Sequence, residues 1–265
     1  MPKLKIENIE LYYQIEGKGN PLLLIAGLGS DSQSWLSIMP ELSKHFTVIT
    51  PDNRGVGRTK YYSNEISIQQ IADDCIALVK HLGFNSVNLL GHSMGGFVAQ
   101  DIAIRYPEFV SNLILASTSS INSERNNALF NDWVSFLESG MDIKIWFRNV
   151  FYWLFTKDLF ENKDLLNEAI SYAVEYPYSQ NKNDFRNQVD AISQFNYEKR
   201  ISEIEAKTMI INGKEDILFS PDESKKNLTP IKNTSFSIIE NAAHSIFIEN
   251  PKAFTNCVLN FLLNS

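Results

Sequence analysis

From the N-terminus to about residue 118, short continuous apolar runs alternate with stretches whose apolar residues recur every three or four positions. That pattern predicts strands alternating with helical crossovers. Residues 4–15 read as a hairpin-like pair of strands closed by Gly17 and Gly19. Residues 22–26 and 47–50 are apolar without alternation, as expected of parallel strands covered on both faces, and each runs into a glycine-containing loop. Between Ser67 and Gly83, the positions Ile68, Ile71, Ala72, Cys75, Leu78, Val79 and Leu82 keep helical spacing. Ser67 with Gln70 has the capping-box pattern at the start, and Gly83 supplies the stop. Strands are expected at 87–90 and 113–116, with a helix over 97–105 that must end before Pro107.

Past residue 119 the pattern changes. No strand-like run occurs up to residue 200, and Phe130, Trp133, Phe136, Trp146, Phe147, Phe151, Tyr152, Trp153, Phe155 and Phe160 crowd the stretch, three of the four tryptophans among them. Strand-like runs return at 208–212 and 235–239, and an amphipathic helix closes the chain over 251–263. The whole predicts an α/β core from residues 1–118 and 201–265, interrupted by a helical cap, or lid, over 119–200. Such an insertion has to bury a core of its own, which aromatic side chains do well. A cap over the sheet edge also roofs any cleft beneath it, so some of Trp133, Trp146, Phe147, Phe151 and Trp153 are expected to line an apolar pocket. Their spacing leaves open which ones do.

The 265 residues suit one large domain, and with 44% hydrophobic and 12% aromatic residues the chain can bury enough surface to offset its ordering entropy. A formal charge of −7 and the lack of any basic run argue against nucleic acid or an anionic membrane as partner. No window approaches the ~18 apolar residues of a membrane span, and residues 1–8 do not resemble a secretion signal, so the cytoplasm is the expected compartment. Cys75 and Cys257 stand far apart without metal-ligand spacing; neither a disulfide framework nor a metal site is expected, and both read as small buried hydrophobes.

The candidate chemistry begins at Gly91-His92-Ser93-Met94-Gly95-Gly96, a Gly-x-Ser-x-Gly turn between a predicted strand and a predicted helix. A serine on such a sharp turn projects into the cleft at the C-terminal edge of a sheet, and small residues on either side let strand and helix approach. Its backbone also lies at a helix N-terminus, where N–H groups can stabilise an oxyanion. Serine is a weak nucleophile at its own pKa and needs a base with an orienting acid. Of the four histidines, His45 precedes a strand, His81 lies near a helix end, and the turn would point His92 away from Ser93. His244, in the loop between the last predicted strand and the last helix, remains as the base. Asp216, just past the preceding strand, is the candidate acid, with Glu215 its competitor. Ser, Asp, His is the chain order of a triad on this kind of sheet.

These motifs, together with Gly27-Leu28-Gly29 followed by Trp35, the segment 52–59 and His244 with Glu249, Pro251 and Phe254 behind it, resemble the α/β-hydrolase fold superfamily, of serine esterase type. The similarity covers both ends of the chain and leaves out the middle. It is nearest to small carboxylesterases, enol-lactonases and pimeloyl-carrier-protein methyl ester esterases of biotin synthesis. The resemblance implies the α/β-hydrolase fold, a mostly parallel central sheet with flanking helices and a helical cap insertion. It further implies Ser93 as nucleophile, His244 as general base, Asp216 as orienting acid, and the backbone N–H groups of Leu28 and Met94 as the oxyanion hole. Ala26 stands where many relatives carry His, and Ala243 where many carry Gly. Trp35 is expected beneath the oxyanion loop, with Asn53 and Arg54 bracing the loop over 52–59. The expected function is cleavage of carboxylic esters with a small to medium, apolar acyl group, with no metal or organic cofactor required. Enol-lactone or carbon–carbon hydrolysis, cofactor-free perhydrolysis, or methyl ester cleavage on an acyl carrier protein met by Arg125, Arg148, Arg186 and Arg200 are alternatives, as is a non-catalytic ligand receptor on the same fold.

Overall fold

The computed structural model describes residues 2–63 and 65–264. Among these residues nine strands form one sheet: β1 (Lys3–Ile6), β2 (Ile9–Glu16), β3 (Asn20–Ile25), β4 (Phe46–Pro51), β5 (Lys60–Tyr61), β6 (Val87–His92), β7 (Val110–Ala116), β8 (Lys207–Gly213) and β9 (Thr234–Ile239). The order is β1-β2-β4-β3-β6-β7-β8-β9, with β5 added to β2. β4, β3, β6, β7, β8 and β9 run parallel, whereas β2 pairs antiparallel with β1, β4 and β5. The short β5 was not apparent in the sequence pattern. It is a two-residue edge strand held by its register with Ile9 and Glu10.

The chain leaves β3 toward β4 on one side and returns to β6 on the other, so the strand order reverses at β3. In open α/β sheets, ligands bind outside the C-terminal ends of the strands at such a reversal. The loop Gly27-Leu28-Gly29 follows the end of β3 and Ser93 the end of β6, on either side of that crevice.

Eleven α-helices complete the described residues: α1 (Met39–Leu42), α2 (Ile68–His81), α3 (Met94–Arg105), α4 (Glu124–Glu138), α5 (Ile143–Leu154), α6 (Lys157–Glu161), α7 (Lys163–Glu175), α8 (Lys182–Ser193), α9 (Pro221–Leu228), α10 (Ile246–Glu249) and α11 (Pro251–Leu263). Period-two alternation along β3 sends Leu22 and Leu24 to a core shared with Trp35, Phe254 and Val258, and Leu23 and Ile25 to one shared with α2 and α3. Burial of both faces explains the unbroken apolar runs. Ser67 and Gln70 form the expected capping box on α2, Ser67 Oγ accepting from Gln70 N at 3.1 Å and Gln70 Oε1 from Ser67 N at 3.0 Å. Helix α3 starts three residues earlier than the periodicity suggested, because glycines 95 and 96 continue the helical turn. Cys75 is buried as expected; Cys257 is only half-buried, since α11 presents it at the margin of its apolar face, 3.6 Å from the Met209 sulfur.

Between β7 and β8 lie helices α4 to α8, and the nearest approach to a strand among them is one isolated bridge, Ile121 to Asn196. Their aromatics divide in two. Trp133 and Trp146 join the core that also holds Phe97 and Phe185, whereas Phe151, Leu166 and Ile170 form a separate cluster confined to these helices. No described helix is long and apolar enough to cross a membrane.

Candidate active site

Ser93 follows the last residue of β6 with φ 55 and ψ −120, a backbone conformation that costs a side-chain-bearing residue on the order of 1–3 kcal/mol and persists only where its surroundings impose it. Here they do. Ser93 N donates to Ala116 O at 3.0 Å on β7, while Ser93 O accepts from Gly96 N at 2.8 Å and from Thr118 Oγ1 at 2.9 Å. The flanking glycines permit the approach: a Cβ on Gly95 would lie 2.0 Å from Ile25 O of β3, closer than any real carbon can sit. Ser93 is 8% exposed, so the turn is largely covered by its neighbours.

Asp216 and His244 leave the C-terminal ends of β8 and β9, on the same edge of the sheet. His244 Nδ1 lies 3.0 Å from Asp216 Oδ2, and both side chains are buried. A carboxylate only accepts, so Nδ1 is the donor in this bond. Asp216 Oδ1 accepts from the N–H groups of Leu218 and Phe219 at 2.9 and 3.0 Å, which fixes the carboxylate, and the Phe219 ring stacks on His244 at 5.8 Å. The competing Glu215 is exposed.

His92 ties this pair to the Ser93 turn. Its ring packs edge-to-face against Phe247 and Trp35 and lies 4.8 Å from the His244 ring. Its Nε2 donates to His244 O at 2.9 Å. Complete burial, reinforced by His244, pushes the His92 pKa down to about 3, so the ring is neutral with its proton on Nε2.

Gly27 packs against Ser93: a Cβ there would come within 3.1 Å of Ser93 Cβ. The adjoining Leu28 and the first turn of α3, starting at Met94, therefore flank the serine from two sides. The neighbouring loop is braced as expected. Arg54 holds Asp74 of α2 through Nε at 2.5 Å and Nη2 at 2.9 Å, and Asn53 Nδ2 donates to Ala26 O at 3.1 Å.

Of the five aromatics expected to line a pocket, Trp133 and Trp146 spend their indole N–H groups within the inserted helices, on Asn149 Oδ1 at 3.0 Å and Trp133 O at 2.9 Å. Phe151 belongs to the separate helical cluster. Phe147 is half-buried between the two clusters, and half-buried Trp153 stacks under Arg125, whose Nη2 donates to Ile217 O beside Asp216.

Several buried or half-buried groups around the site had no recognised role in the sequence pattern. Glu249 accepts from Ala243 N with one oxygen and from Thr156 N with the other, both at 2.7 Å, so a single carboxylate joins the His244 loop to the helices above; burial raises its pKa. Tyr176, between α7 and α8, donates to Asp31 at 2.5 Å, and Asp31 is likewise raised by burial. Gln188 of α8, fully buried, accepts from Gly29 N at 3.1 Å. Only Glu249 lay within a motif the sequence singled out.

The sequence profile of the alpha/beta hydrolase fold family matches residues 20–251. Over 258 residues the chain is 27% identical to the RutD protein of Agrobacterium fabrum, named for carbamate hydrolysis, covering 97% of this chain and 98% of that one. It is 26% identical to pyrrolizixenacetamide deacetylase of Xenorhabdus hominickii, covering 100% and 98% of the two. Among solved structures, the enol-lactonase of Burkholderia xenovorans superposes with a TM-score of 0.89 at 23% identity, covering 99% of this chain and 100% of that one. The chain belongs to the α/β-hydrolase fold family.

Proposed function

We propose that this α/β-hydrolase is a serine hydrolase that cleaves carboxylic esters through a Ser93-His244-Asp216 triad. The observation that carries the reading is the 3.0 Å Asp216 to His244 bond, at the sheet edge where Ser93 is held in a strained turn. His244 Nε2 takes the Ser93 Oγ proton as the oxygen attacks the ester carbonyl. The N–H groups of Leu28 and Met94 stabilise the oxyanion, and Asp216 keeps the imidazole in the required tautomer. His244 returns the proton to the departing alcohol, then activates water to release the acid from Ser93.

Helices α4 to α8 act as the cap. Half-buried Phe147 and Trp153 of these helices are the residues assigned to the acyl side of the site, in keeping with a small to medium apolar acyl group. An acyl carrier protein fits less well: Arg186 and Arg200 are already paired with Glu138 and Glu203, and the chain carries a net −7.

The similarity to a deacetylase and to a protein named for carbamate hydrolysis favours a second reading, in which the same triad cleaves a carbonyl–nitrogen bond. Paired p-nitrophenyl butyrate and p-nitroanilide substrates separate the two. The first reading expects ester turnover at least ~10³-fold lower in Ser93→Ala; anilide turnover exceeding ester turnover favours the second, and wild-type rates in Ser93→Ala contradict both.

A further inference from the structure

The loop proposed to supply an oxyanion donor is not secured by the core alone. Ser30 N donates to Gly27 O at 3.2 Å, closing a turn in which Gly29 has φ +70. Positive φ at the third residue marks a type II turn. Types I and II differ by a flip of the central peptide, here the Leu28–Gly29 unit, which exchanges the directions of Leu28 C=O and Gly29 N–H. What selects the flip is Gln188, whose Oε1 accepts the Gly29 N–H at 3.1 Å.

The polarity of this amide is itself fixed. Gln188 Nε2 donates to Arg54 O at 2.7 Å, and Gln180 Nε2 donates both to Gln188 Oε1 at 3.1 Å and to Gly55 O at 2.9 Å. Carbonyl oxygens cannot donate, so turning either amide over would set oxygen against oxygen. The two glutamines thus present an acceptor to Gly29 N and nothing else. Gln188 is fully buried on α8 beside Val189 and Ile192, which pack into the core shared with the sheet.

We infer that Gln188 is a positioning residue for the reaction: by anchoring the Gly29 N–H it holds in place the loop whose preceding peptide carries the Leu28 N–H proposed to meet the oxyanion. The inference rests on the reading of Leu28 as donor. It makes the cap part of the catalytic apparatus as well as a roof over it: a residue 159 positions away in sequence sets the shape of the loop.

The test uses the full-length protein with Gln188→Met, close in length, unable to donate and only a weak acceptor, and Gln180→Met as a milder variant that removes the bonds from Gln180 to Gln188 Oε1 and Gly55 O while Arg54 O still orients the Gln188 amide. Amide exchange at Gly29 should quicken at least ~10-fold in Gln188→Met, the amides of β6 staying as they were. On p-nitrophenyl butyrate, kcat should fall ~10- to 100-fold with KM changed less than about threefold and the pH profile unmoved, because the Asp216 to His244 pair is untouched. Gln180→Met should show the same kcat-only pattern at a few-fold, which keeps the test open should Gln188→Met fold poorly. Unchanged Gly29 exchange overturns the inference, as does a variant that raises KM and spares kcat. A parent protein without Ser93-dependent turnover would sink the hydrolase reading instead, and the exchange experiment would still decide whether Gln188 holds the loop.

Discussion

The sheet core and the helices between β7 and β8 solve the same problem differently. The core is largely aliphatic, and it places its reactive groups through backbone: strand ends, a strained serine, and glycines whose missing Cβ lets β3, β6 and α3 come together. The inserted helices are aromatic, with a cluster of their own, and reach the site through single side chains bound to distant backbone, as Gln188 and Gln180 are, while Glu249 of the core reaches in the other direction to Thr156 N. A backbone-built site tolerates almost no change at the positions that shape it. A side-chain-built attachment can be altered one bond at a time, which is how a single fold comes to serve many substrates.

The largest expected effect probes the core. Asp216→Asn should keep the fold but lower kcat by ~10³- to 10⁴-fold, because the imidazole loses the partner that fixes its tautomer; steady-state ester kinetics beside a thermal melt would show it. A loss under tenfold would break the view that core geometry is rigidly matched to the chemistry.

Glycine substitutions set the two regions side by side. Gly95→Ala pushes a methyl into Ile25 O and should cost more than ~4 kcal/mol or prevent folding. Gly140→Ala, between α4 and α5, meets nothing within 4 Å and carries only the penalty of φ +80, about 1 kcal/mol. Urea titrations that ranked them equally would erase the contrast.

Both regions follow from residue pattern to different depths. The strands, the capping box at Ser67 and the Ser93 turn were legible because each is set by neighbours within a few positions in the chain. That Asp216 and His244 would meet at one sheet edge was legible through their chain order. The helical character of the insertion could be read as well, but not the division of its aromatics, since whether Trp133 or Phe151 serves one cluster or another depends on helix packing that no local pattern encodes. Gln188 and Tyr176 gave no signal, because each bonds to a partner more than a hundred residues away and a buried glutamine reads like an exposed one.

His92 sharpens the comparison through pH. Its folded-state pKa is pushed down to about 3 from 6.5, so as pH falls below 6.5 the unfolded chain takes up a proton that the folded one refuses. Its contribution is complete above pH 6.5 and is lost progressively toward pH 3, with about 2 kcal/mol gone by pH ~5. Urea unfolding at pH 5 and 7.5 should show a smaller acid loss in His92→Gln than in the parent; an equal loss would mean that the ring is already charged in the fold.

Tyr176→Phe, on the insertion side, should be the mildest: about 1 kcal/mol for one hydrogen bond to Asp31. Hydrogen exchange should quicken in α7 and leave β6 as it was. Quickening spread through the sheet would mean that the core and the inserted helices unfold as one unit.

The most direct test of the central claim is the site of covalent modification. Intact and peptide mass spectrometry after brief exposure to a fluorophosphonate should find one adduct, on Ser93, absent from Ser93→Ala. Equal labelling of that variant, or a parent protein that stays unmodified, would contradict the assignment of Ser93 as the nucleophile.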